Sequence, residues 1–124
     1  MATVDLTAEN FEEKVSSSAI TIIDFWAPWC GPCKAFAPTY EEVSENHTDV
    51  MFAKVNTEAE QALGAQFNIR SIPTLMVIRD NIVIFSQAGA LPKPALEDLV
   101  KQIKEVDMDE VRAAVAKEQA EKAS

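Results

Sequence analysis

The run Ile20-Thr21-Ile22-Ile23-Asp24-Phe25-Trp26 constrains the fold of this 124-residue chain more than any other segment. It is β-branched and aromatic, and its apolar residues fall on both parities, the pattern of a central strand covered on both faces. From Cys33 to about Asn46 the composition is that of a helix, with Phe36, Tyr40 and Val43 at spacings of four and three. Pro38 inside that helix predicts a kink. Val50 to Val55 reads as a second strand, so strand, helix and strand form a βαβ unit with a right-handed crossover.

Around this unit the chain supplies further elements. Thr7 is placed to cap a short helix carrying Phe11 and Val15, which Ser16, Ser17 and Ser18 end. A helix is expected around Glu58 to Phe67. The strand-like segments Thr74 to Ile78 and Ile82 to Phe85 lie close enough for an antiparallel hairpin. From Pro94 onward Leu96, Leu99, Val100, Ile103 and Val106 recur at helical spacing, giving an amphipathic helix that covers one sheet face. The expected division is a domain over residues 1–106 and a C-terminal extension over 107–124, helical or partly disordered. Asp107 followed by Glu110 resembles the cap of a weaker helix in that extension.

Composition narrows the partners. Eleven basic against 20 acidic residues give a formal net charge of −9, which repels phosphate backbones and anionic membrane surfaces. Neither nucleic acid nor a membrane is therefore expected as a partner. Met1 to Asn10 holds no basic cluster followed by an apolar run, and no stretch of about 18 apolar residues occurs, so a cytoplasmic location is expected.

The two cysteines, Cys30 and Cys33, are three positions apart, too close to form a framework that closes long loops. They lie where a strand gives way to a helix. Unpaired N–H groups and the helix dipole stabilise an anion there, and such surroundings lower a thiol pKa from about 8.5 to between about 3.5 and 7.5. One helical turn brings the two Cα atoms to roughly 5 Å, inside the range of about 4.4 to 6.8 Å that a disulfide needs. Pro32 suits a first helical turn, and Gly31 leaves room for an approaching substrate. Structural zinc is the competing use of such a pair, but it ordinarily takes two pairs, and only His47 stands beside these thiols.

The run Phe25-Trp26-Ala27-Pro28-Trp29-Cys30-Gly31-Pro32-Cys33-Lys34 closely resembles the active-site signature of the thioredoxin family, whose members are among the proteins that define the pKa range above. The similarity continues through Asp24, Pro38, Lys54, Ile69-Arg70-Ser71-Ile72-Pro73-Thr74 and Gly89-Ala90, covering roughly Val4 to Val106. It implies an α/β thioredoxin fold, a central mixed sheet flanked by helices, with Pro73 in the cis form beside the cysteines. The turn Arg79-Asp80-Asn81-Ile82 departs from the Asn-Gly that relatives often carry.

Burying Asp24 ionised in an apolar strand costs several kcal/mol, so it is expected to find partners or to hold a raised pKa. By resemblance it takes the proton from Cys33. Lys54 is placed to reach Asp24 from the neighbouring strand and, with Gly31 and Pro32, to tune the redox chemistry. Trp29, Ile72, Pro73, Gly89 and Ala90 are expected to form a flat apolar surface for a substrate strand. Trp26 reads as core packing. In the expected reaction Cys30 attacks a substrate disulfide and Cys33 resolves the mixed disulfide.

The resemblance further implies regeneration by an NADPH-dependent thioredoxin reductase, so the chain needs no bound nucleotide, metal or flavin, and only a reversible Cys30–Cys33 disulfide. Disulfide-containing client proteins are the expected substrates, and a monomer the expected state. Two other readings stay open: an oxidase or isomerase built on the same cysteines, and a binding or holdase module that uses the apolar surface without turnover.

Overall fold

A computed structural model describes residues 2–123. Ten elements follow in order: β1 (Thr3–Asp5), α1 (Phe11–Ser16), β2 (Ile20–Trp26), α2 (Gly31–Asn46), β3 (Met51–Asn56), α3 (Gln61–Gln66), β4 (Thr74–Arg79), β5 (Ile82–Ala88), α4 (Lys93–Glu105) and α5 (Met108–Ala123). The five strands make one mixed sheet in the order β1-β3-β2-β4-β5. β3 runs parallel to both β1 and β2, whereas β4 runs antiparallel to β2 and β5.

β2 is the central strand, and its alternation divides the core. Ile20 and Ile22 point to the face covered by α2 and α4, where Phe36, Tyr40, Val100 and Ile103 meet them. Ile23 and Phe25 point to the opposite face, against Val15 of α1 and Leu63 of α3. Each of these side chains stabilises the fold by roughly 1.5–3 kcal/mol through burial. α2 is continuous across Pro38, which donates no backbone hydrogen bond to the Lys34 carbonyl.

Several boundaries differ from the sequence expectation. β1 carries no sequence signal, because three residues are too few to show a period; it exists by pairing Thr3, Val4 and Asp5 with Phe52, Ala53 and Lys54. α3 starts later than Glu58, since the Asn56 Oδ1 accepts the backbone N–H groups of Glu58 and Ala59 and holds them in a turn. Thr7 and Asn10 exchange bonds, each side chain accepting the other's backbone N–H, so the cap closes one turn before α1 begins. In the β4–β5 turn Asp80 and Asn81 take φ of 53° and 65°, the backbone of a two-residue hairpin turn that these side chains tolerate.

Arg79 fastens the end of α4. Its Nη1 donates to the carbonyls of Ile103 and Val106, both at 2.9 Å, and so satisfies groups a helix C-terminus leaves open. The Asp107 Oδ1 then accepts from the N–H groups of Asp109 and Glu110 and starts α5. Arg112 of α5 binds Asp80 in the hairpin turn at 3.0 Å. Met108 is buried, but most of the rest of α5 is exposed.

Candidate active site

Cys30 occupies the N-cap of α2 with extended backbone, and Pro32 fills the first turn. Cys30 and Cys33 are joined by a disulfide with their Cα atoms 5.2 Å apart. The Cys33 N–H donates to the Cys30 Sγ at 3.3 Å, so an otherwise unpaired amide of the helix start points at this sulfur. The same sulfur lies 3.9 Å from the Ile72 carbonyl. Both cysteines are buried, in a small cluster with Ala27 against which Trp26 and Ile72 pack. A Cβ on Gly31 would meet nothing within 4 Å, so the first turn of α2 faces open space.

Two loops frame the pair. The Ile72-Pro73 peptide is cis, and the Pro73 carbonyl accepts from the Gly89 N–H at 2.8 Å. Gly89 has φ of 104°, a conformation that side-chain-bearing residues rarely adopt. This bond joins the segments that carry Ile72, Pro73, Gly89 and Ala90. Trp29, immediately before Cys30, is 69% exposed, the larger of two such exposures among the big apolar side chains.

Asp24 is fully buried, and neither of its carboxylate oxygens has a hydrogen-bond partner among the described residues. Burial raises its pKa from 3.8 to about 7, while the positive charge of Lys54 opposes the rise. Lys54 is its register partner on β3. The two form no ion pair: the Lys54 ammonium sits instead 4.6 Å from the centre of the Trp26 ring. The expectation that the lysine head reaches the carboxylate is therefore replaced by a through-space influence, because the indole beside it takes the cation. Trp26 is correspondingly more than core packing, being half-buried with its Nε1 unpartnered among the described residues.

Helical spacing gives Tyr40 only as a helix-face residue. Its hydroxyl lies 2.9 Å from the Ile22 carbonyl and 2.8 Å from that of Ala53, and so pins α2 across β2 and β3 beside Asp24. Burial, and next the negative charge of Asp24, push its phenol well above its ordinary pKa. His47 lies at the far end of α2, about 25 Å from Cys30 by helix rise, and its Nε2 contacts Glu97 at 2.6 Å. Among the described residues no group of three or more His, Cys, Asp or Glu is arranged to hold a metal ion.

Comparison with known proteins agrees with this geometry. The Thioredoxin family model matches residues 2–105. The chain is 52% identical over 120 residues to "Putative thioredoxin 2" of Streptomyces coelicolor, covering 97% of this chain and 90% of that one. It is 46% identical over 95 residues to a thioredoxin of Haemophilus influenzae, covering 75% of this chain and 89% of that one. Among solved structures a Plasmodium falciparum thioredoxin superposes with a TM-score of 0.75 at 34% identity, covering 81% of this chain and 98% of that one. A cysteine pair linked at a helix start, in a chain related to thioredoxins over nearly its whole length, makes this protein a thiol-disulfide oxidoreductase that belongs to the thioredoxin family.

Proposed function

We propose that the protein works in the reducing direction, on disulfides of client proteins. The observation that carries the exchange chemistry is the Cys30 Sγ at the N-cap of α2 with the Cys33 N–H directed at it, a setting that favours the thiolate and so attack by Cys30, while kinship with thioredoxins supports the reducing direction. In the dithiol form the Cys30 thiolate attacks one client sulfur; the client disulfide breaks, a mixed disulfide forms, and the first client thiolate leaves. Cys33 then loses its proton to Asp24 and attacks the Cys30 sulfur, which closes the Cys30–Cys33 disulfide and expels the second client thiolate. Two electrons pass to the client, and two protons finish on its thiols. A carboxyl with a pKa of about 7 is suited to accept and return that proton near neutrality.

In this reading Trp29, Ile72, Pro73, Gly89 and Ala90 receive the client strand, and Gly31, Pro32 and Lys54 set the poise of the pair. The redox unit spans residues 1–106, with 107–124 as a C-terminal extension that carries α5. A cytoplasmic monomer returned to the dithiol by an NADPH-dependent thioredoxin reductase completes the scheme, as a carrier of electrons in redox homeostasis. The test is insulin disulfide reduction by the Cys30→Ser variant: activity should fall to background. Full activity in that variant would refute the reading and favour a binding module.

A further inference from the structure

A groove of about 380 Å³ leaves the redox site on the α3 side, bounded by Trp29, Thr57, Gln61, Arg70, Ser71 and Ile72. In a chain of 20 acidic residues none lines this groove. The carboxylates closest in sequence, Glu58 and Glu60, stay outside it, and Glu60 is engaged by the Ala8 N–H at 2.8 Å. Its one charged side chain is Arg70, which is exposed and makes no ion pair or hydrogen bond among the described residues. Several other cations are committed: Lys93 to Glu42, Lys104 to Asp49, Arg112 to Asp80, and Arg79 to helix carbonyls.

We propose that this groove selects clients whose disulfide is flanked by acidic side chains, with a client carboxylate paired to Arg70 while the chain next to it lies on Trp29 and Ile72. The proposal rests on the reductase reading above and names the charge of its substrate. A guanidinium presents a planar fork of donors that matches a carboxylate, so the free Arg70 supplies both charge and orientation. The net charge of −9 does not cancel this preference, because charges more than about 8–10 Å away are largely screened at physiological salt. Within the groove Arg70 is the one charge that lines the wall, and it sets the local sign.

The test uses three peptides, each closed by one internal disulfide and identical except for Glu, Gln or Lys beside it. The reduced full-length protein should reduce the Glu peptide with a kcat/KM about three- to fivefold above the Lys peptide, the scale of an exposed ion pair. The difference should reside in KM. Arg70→Glu should reverse the order, whereas Lys101→Glu, the same charge change at an exposed position on α4, should leave it intact. Equal rates on all three peptides, or an order that survives Arg70→Glu, would overturn the proposal. So would an Arg70→Glu protein impaired only in its own reduction by a reductase. Should no peptide be turned over, the reductase reading fails; tryptophan fluorescence titration of the oxidised protein with the same peptides still ranks their affinities and decides the groove separately.

Discussion

Replacing Asp24 by asparagine should stabilise the protein, and by an amount that depends on pH. In the unfolded chain this carboxyl ionises near 3.8; in the folded one burial holds it to about 7. Between these values the folded state keeps a proton that the unfolded state has released, so stability falls as pH rises through the window and is level above it. A little over three pH units at 1.36 kcal/mol each gives about 4 kcal/mol. The asparagine side chain carries no charge in either state and escapes this loss. Denaturant unfolding of the oxidised proteins should therefore give similar stabilities at pH 4 and a gap opening toward about 4 kcal/mol in favour of Asp24→Asn at pH 8. Parallel stability profiles across that range would refute the argument, since they would mean that the buried carboxylate is solvated or paired well enough to ionise normally.

Two further substitutions probe how the fold holds the site. Tyr40→Phe keeps the ring and removes a hydroxyl that lies within bonding distance of two carbonyls, and should cost about 1 kcal/mol in denaturant unfolding; a change below about 0.3 kcal/mol would show that those bonds add nothing net. Gly89→Ala puts a side chain at φ of 104° where there is space but the wrong backbone, and should cost about 1–3 kcal/mol. An unchanged unfolding midpoint for Gly89→Ala would mean that the loop relaxes freely.

The parts legible in the sequence were those with a local cause. Ile20–Trp26 carried apolar residues on both parities because helices cover both faces, and the Cys30–Cys33 spacing prescribed one helical turn. Where the cause is tertiary, the sequence was silent. β1 has three residues and no pattern; β3 beside it decides its conformation. Register alone put Lys54 opposite Asp24, but the choice between carboxylate and indole depends on how Trp26 lies. Tyr40 had the spacing of any core residue, and nothing local announces a hydroxyl that reaches two strands. The turn at Asp80-Asn81 departs from Asn-Gly in letters and not in backbone, since Asp and Asn also tolerate positive φ.

A sequence shaped only by stability would contain neither Asp24 as it stands nor Trp29. The carboxyl is buried in the strand that carries the core without a hydrogen-bond partner among the described residues, and the indole is left in water five residues later. Asp24 comes just before, and Trp29 within, the junction at which β2 becomes α2, where the helix start points an amide at Cys30. Local rules broken together at one junction are the mark of a site rather than of poor packing. In the proposed function they divide the work by depth: the exposed ring meets a client without disturbing the core, while the buried acid is kept from solvent and its ionisation is set by the protein interior. On this logic Trp29→Ala should weaken only contact with clients, and the pH dependence should reside in Asp24.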